Sequence, residues 1–481
     1  MFRLHLVIAI LLLFSLPIHA QFLYSENGRR ISQPILQNDS TLTFISFRDE
    51  EISRIDVQLN KIHNSHVKEI KLIDICSNRT SNRTNAPLPV SRDNLILKWW
   101  LENGANGEPN CQLYNLDKGM LFPEIMTGDS ENFILFKSLL NGNILSDYNG
   151  GFYIFTRFYS TPPKHFHDQS DDVTRDGSGF LYLNHEGDLI REGVVQVFSS
   201  KHKKGMRYGE DVFVFDRKSG YWIMKQNSDS TAIIQHVYND LSFQFKDGPR
   251  QFPIPVEPRS VEMAVTPSGE IFVLRVITPW QKQTTDLELY KLDGELELIW
   301  DSPVKVFENE LSGRTKRNHH HPRGYSSTLL PRKDGGAWII VYKEEFDRDK
   351  KIGTWSKIPE YDRYYEITVQ LITADGEIKI TDEKAVIAHT NSWFPLDYNW
   401  GLVDSDDGLW VFWHDYEDNF AKATYISADG TFRELWTKDG INISDQPDVR
   451  LKTEGQLLMS DNTVLICLST KQGEFLLRLE P

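Results

Sequence analysis

The chain is short of several things, and each shortage removes a class of function. Only three cysteines occur in 481 residues, Cys76, Cys111 and Cys467, which rules out a cysteine-rich zinc site and a dense disulfide scaffold. Basic charge is in deficit: 53 Lys plus Arg stand against 68 Asp plus Glu, a formal charge of −15. Phosphate backbones are held by clustered Lys and Arg, so no nucleic-acid partner is expected, and anionic membrane surfaces are disfavoured for the same reason. After the N-terminus there is no apolar run near the roughly 20 residues that span a bilayer. No long stretch repeats its apolar residues at helical spacing. Also missing are a Gly-x-Ser-x-Gly elbow, a phosphate-cradling Gly-x-x-x-x-Gly-Lys-Ser/Thr loop and an EF-hand. No cofactor is expected.

The N-terminus is informative. Met1-Phe2-Arg3 gives a short positive start, residues 4–16 are almost wholly apolar, and Pro17 and Ala20 precede Gln21. This is the three-part pattern of a secretory signal peptide, with cleavage expected after Ala20. A secreted, extracellular protein follows, with no membrane span after cleavage. In that compartment Cys76 and Cys111 are the natural disulfide pair, and Cys467, in Val-Leu-Ile-Cys-Leu, reads as a small buried hydrophobe. Four Asn-x-Ser/Thr triplets, at Asn38, Asn78, Asn82 and Asn442, are N-glycosylation candidates.

Apolar residues make up 40% of the chain, enough for a large core, and its apolar stretches are rich in β-branched and aromatic residues. They come in short strands separated by turn residues, so the expected class is all-β. The pattern is plainest from Asp406 to Trp436: Asp-Asp-Gly-Leu-Trp-Val-Phe-Trp, a polar link, then Ala-Thr-Tyr-Ile-Ser-Ala-Asp-Gly-Thr-Phe-Arg-Glu-Leu-Trp. Similar units run from Pro267 to Trp300 and from Asp334 to Ile378. Asp293-Gly294, Asp375-Gly376 and Asp429-Gly430 sit at matching places, each read as a tight two-residue hairpin turn.

These units resemble β-propeller repeats of the kind with Asp-Gly-x-Leu/Ile-Trp/Phe-Val before a strand. The resemblance covers 133–481 well and 41–125 loosely. The double glycines Gly150-Gly151 and Gly335-Gly336 precede a strand, whereas those of kelch repeats follow one, and no sialidase Asp-box is present. The resemblance implies a single β-propeller domain over 21–481. Eight blades are favoured, starting near Thr41, Leu95, Phe133, Val194, Val261, Tyr325, Trp400 and Gln456, with seven the alternative. The last group shows three strands, and residues 21–40 are expected to supply a ring-closing fourth, which would hide an open edge.

Candidates for chemistry are weaker. His165, His167 and Asp168 could contribute to a metal site, since residues i and i+2 of a strand share a face. Asn318-His-His-His-Pro-Arg reads as a solvated loop, and Arg314-Thr-Lys-Arg317 fits a basic processing site or an ordinary basic loop. Asp404, Asp406, Asp407, Asp415, Glu417 and Asp418 crowd one blade, mostly as turn residues. Trp355, Tyr364, Trp393 and Trp400 lie in loop-like stretches and are the ligand-binding candidates, because flat aromatic faces suit sugars and peptides. The expected function is a binding or interaction module for an extracellular glycan or protein, acting as a monomer. The alternative is a glycan-active hydrolase or lyase with carboxylates around the propeller axis.

Overall fold

The computed structural model describes strand backbones from Ala20 onward, and side chains within 212–307, 327–341, 366–379 and 401–481, with short interruptions. The strands described form eight separate antiparallel sheets. Numbered in chain order, sheets one to three occupy 30–72, 88–122 and 144–199. Sheet four holds Val212–Phe215, Gly220–Gln226, Ala232–Tyr238 and Arg250–Gln251. Sheet five holds Val261–Val265, Ile271–Ile277, Thr284–Leu292 and Val304–Leu311. Sheet six holds Tyr325–Pro331, Ala337–Trp355, Ile358–Ile372 and Val386–Thr390. Sheet seven holds Gly401–Val403, Leu409–His414, Ala421–Ile426 and Ile441–Asn442. Sheet eight takes Arg450–Leu458, Val464–Ser469 and Gly473–Leu479, and its fourth strand is Ala20–Asn27, paired antiparallel to Gly473–Leu479. The all-β expectation holds. The sequence grouping misplaces one boundary: Val195–Ser199 ends sheet three rather than opening sheet four, because two consecutive apolar strands look alike on either side of a connection.

Backbone contacts divide the chain into two compact units, one of Met1–Asn27, Gly209–Ile234 and Gln251–Pro481, the other of Gly28–Tyr208 and Gln235–Arg250. The second unit contains sheets one to three, all antiparallel. In the first unit, sheets five to eight stack face against face, and the period of two along a strand decides which neighbour each side chain meets. Along Ala337-Trp-Ile-Ile-Val, Ala337, Ile339 and Val341 pack with Phe272, Leu274 and Leu289 of sheet five. Trp338 and Ile340 turn the other way, to Trp410, Phe412 and Tyr425 of sheet seven. A sheet covered on both faces needs no polar alternation, which is why Leu409-Trp-Val-Phe-Trp is continuously apolar and fully buried. Each such side chain contributes about 1.5–3 kcal/mol by burial. Trp410 meets Trp436 edge-on, with ring centroids 4.8 Å apart.

The hairpins correct the sequence reading of their turns. Each closing turn spans five residues, with the first N–H donating to the fifth carbonyl and the fourth N–H to the first: Asp293 to Glu297, Thr373 to Glu377 and Ser427 to Thr431. This is a three-residue loop ending in a left-handed residue, not a two-residue turn. The left-handed residues are Leu296, Gly376 and Gly430. Asp375-Gly376 and Asp429-Gly430 therefore match, but Asp293-Gly294 lies two positions early in its turn. The bridges Leu292 to Leu298, Ile372 to Ile378 and Ile426 to Phe432 fix that register.

Candidate functional site

The same five-residue turn joins the first and second strands of sheets five to eight, at 266–270, 332–336, 404–408 and 459–463. Its fourth residue is left-handed in all four: Gly269, Gly335, Asp407 and Asn462. Glycine adopts that conformation freely, whereas an L side chain costs about 1–2 kcal/mol. Asp407 and Asn462 offset the cost by reaching the turn of the preceding sheet. Asp407 accepts the amide N–H groups of Lys333 at 2.6 Å and Asp334 at 3.1 Å. Asn462 accepts from the backbone N–H of Ser405 at 2.9 Å and from its hydroxyl, and donates to Asp406 at 2.7 Å.

The indoles follow the same rule. Trp338 Nε1 donates to the carbonyl of Asp407 at 2.9 Å, and Trp410 Nε1 to that of Asn462 at 3.4 Å. At the equivalent place in sheet five stands Phe272, which has no N–H. Its cross-strand partner Lys291 replaces the missing donor: Nζ donates to the carbonyl of Gly335 at 3.0 Å. The ammonium is almost fully enclosed, with Glu270 at 3.1 Å, the Ala374 carbonyl at 3.4 Å, and the Phe272 and Trp300 rings at 5.5 and 5.9 Å.

This arrangement accounts for five of the six acidic residues crowded in sheet seven; the sixth, Glu417, lies outside the described residues. Asp404 accepts from the Asp406 and Gly408 amides at 2.9 and 2.8 Å and from the Tyr425 hydroxyl at 2.6 Å. Burial, and then that hydrogen bond, push the Tyr425 phenol well above its ordinary value. A Cβ at Gly408 would collide with the Tyr425 phenol, which would have to shift off Asp404 to admit it. Asp415 and Asp418 hold Lys422 at 3.0 and 2.9 Å. Among the described residues, no group of three His, Cys, Asp or Glu side chains could hold a metal ion.

One carboxyl stands apart. The first strands of sheets four, five and six lie side by side in the first unit, and Glu262 sits on the middle one. Its two oxygens accept from Leu329 N–H at 2.7 Å and from the Ser327 hydroxyl at 3.2 Å. The flanking strands, Val-Phe-Val-Phe and Tyr-Ser-Ser-Thr-Leu-Leu-Pro, carry no acidic or basic residue, and its cross-strand partner on the other side is Leu274. Burial raises its pKa from 4.5 to about 7, against the opposing pull of the two hydrogen bonds.

That shift makes stability pH-dependent. Below pH 4.5 folded and unfolded chains both carry the proton. Between about 4.5 and 7 only the folded chain keeps it, so stability falls as pH rises through this window and levels off above it. Partial access to solvent limits the loss to about 2 kcal/mol. Glu262→Gln is expected to flatten this slope in denaturant titrations run from pH 4 to 8 and to be the more stable form at pH 8. An unchanged slope would remove Glu262 from the account.

The sequence candidates fall unevenly. His165, His167, Asp168, Cys76, Asn78, Asn82, Trp393 and Trp400 lie outside the described residues, as do the 314–317 and 318–323 segments. Cys111 is in Pro109–Asn115, paired with Trp99, and Asn38 ends Ile35–Asn38. Trp355 and Tyr364 are not in loops: a long two-stranded hairpin runs out to the pair Trp355 and Ile358, and both residues lie on it. The charged run between them hid the strands, because its residues show no apolar-polar alternation. Asn442 is exposed in Ile441–Asn442. Sequence reasoning missed Glu262, whose only signal is a charge inside an otherwise apolar strand, and Lys291, which stands among other charges in Thr284–Leu292 and gives no signal of its own.

No protein-family model matches the chain, and no curated protein matches it. Among solved structures, dipeptidyl peptidase 4 of Porphyromonas gingivalis aligns at 9% identity over 94% of this chain and 58% of its own, with a TM-score of 0.44. Prolyl oligopeptidase B from Galerina marginata aligns at 10% identity over 92% and 55%, with a TM-score of 0.43. The polysaccharide lyase Uly1 aligns at 11% identity over 96% and 92%, with a TM-score of 0.38. The chain thus spans little more than half the length of the two peptidases. Likeness at this level says nothing about activity.

Proposed function

We propose that this chain is a secreted, N-glycosylated, monomeric β-propeller of eight blades, one per sheet, that binds an extracellular glycan or protein and needs no cofactor. What carries the reading is the use of the acidic side chains in sheet seven. Asp404, Asp406, Asp407, Asp415 and Asp418 all hold turn amides, a neighbouring turn or Lys422, which leaves that cluster a structural role. The aromatic candidates Trp355, Tyr364, Trp393 and Trp400 would then supply contact surface.

The test is purified secreted protein on a panel of extracellular polysaccharides and proteins, assayed both for retention and for product. Saturable retention without new chain ends or peptide fragments supports the binder. The absence of both retention and turnover would overturn it.

A glycan-active hydrolase or lyase is the second reading, and Glu262 is the observation in its favour. A carboxyl with a pKa of about 7 lies in the range in which a general acid works at neutral pH. Turnover abolished by Glu262→Gln, in a protein that stays folded at pH 5, would establish it.

A further inference from the structure

The triplet Asn442-Ile443-Ser444 is split by the fold in a way that bears on when it can be modified. Asn442 is exposed on the last strand of sheet seven. Ile443 is completely buried, and its N–H donates to the Ala421 carbonyl at 2.8 Å. Ser444 is also buried, and its hydroxyl accepts the Ala421 N–H at 3.1 Å. Ile441 and Asn442 pair with Ala423 and Lys422, so the whole triplet lies along Ala421–Ile426.

Glycan transfer needs more of the triplet than its first side chain. The Asn442 amide nitrogen forms a bond to the anomeric carbon of a lipid-diphosphate-linked oligosaccharide. That carbon's bond to the diphosphate oxygen breaks, the lipid diphosphate leaves with the electron pair, and an amide proton passes to a base. The enzyme selects the acceptor by the hydroxyl two residues on. In the folded sheet that hydroxyl is enclosed and already engaged, and freeing it means detaching 441–444 from Ala421–Ile426.

From this we infer that Asn442 is a glycan acceptor only before sheet seven closes: the chain is modified during synthesis, and folding then ends the opportunity. The exposed Asn442 leaves the attached sugar in solvent, so folding accommodates a glycan already in place. The inference rests on the secretory reading above.

Two arms test it. In full-length chain secreted from a eukaryotic host, glycopeptide mapping should find Asn442 occupied, and Asn442→Gln should remove one glycan while Ser444→Thr keeps it. In the second arm, unglycosylated chain is given purified oligosaccharyltransferase and a lipid-linked donor, either folded or held unfolded. Folded chain should be modified at Asn442 at least about tenfold more slowly, because reaction waits on local opening. Equal rates would overturn the timing. Glycans at Asn38, Asn78 or Asn82 with none at Asn442 would overturn this inference and leave the secretory reading standing. A chain bearing no glycan and retained in the cell would end both.

Discussion

Replacing Lys291 with methionine should destabilise the first unit by about 3 kcal/mol, although methionine is close in length and fully apolar. The reason is what Lys291 leaves behind. Its ammonium serves the Gly335 and Ala374 carbonyls and the Glu270 carboxylate, and it is the donor that Phe272 cannot supply. Methionine would fill the space between the Phe272 and Trp300 rings and satisfy none of the three acceptors. Glu270 is partly solvated and can rehydrate, and the Ala374 carbonyl keeps the Trp300 indole N–H at 3.2 Å, whereas the Gly335 carbonyl depends on the turn opening to water. Glu270→Gln should therefore cost under about 1 kcal/mol, since the ammonium keeps both carbonyls. Denaturant midpoints of the two variants, with hydrogen exchange across 332–336 and 373–377, provide the measurement. If Lys291→Met cost no more than Glu270→Gln, the ammonium would not be what joins sheets five and six.

A second large effect belongs to Asp407. Asp407→Ala removes two charge-assisted hydrogen bonds to the 332–336 turn and leaves an alanine in a left-handed conformation. The sum is about 3–4 kcal/mol. Two further variants separate the parts. Asp407→Gly relieves the backbone strain and should recover about 1 kcal/mol of the loss. Asp407→Asn should recover most of it, because Asn462 does the same work one sheet later with an amide oxygen. Equilibrium unfolding of the three proteins orders them, and an asparagine variant no better than alanine would contradict the relay.

The core strands of sheets five to seven and the places of most of their turns could be read from residue order, because each is decided locally. Continuous apolar runs such as Leu409-Trp-Val-Phe-Trp mark strands covered on both faces, and Asp375-Gly376 and Asp429-Gly430 mark the closing turns. Asp293-Gly294 misled for the same reason: a favourable dipeptide is visible, but which turn position it occupies depends on where the strands pair, and there Leu296 takes the left-handed place. The role of the sheet-seven carboxylates was only half legible. That Asp404 holds its own turn can be read from its four-residue separation from Gly408. That Asp407 holds Lys333, 74 residues away, cannot, since sequence spacing carries no distance between sheets. Glu262 was invisible on the same ground: its hydrogen bonds and its burial come from strands that only the fold brings alongside.

The pairing of Ala20–Asn27 with Gly473–Leu479 sets an order of events during synthesis. A ribosome delivers the first of these strands long before the second exists, so the N-terminal strand must wait, unpaired, while the rest of the chain emerges. Contacts between such distant residues form slowly because nearly the whole chain is the loop to be closed. Until then sheet eight has an open edge, the state most prone to join another molecule. Completion of this one sheet should therefore be the last and slowest step in maturation, and the point at which a holding chaperone would matter most.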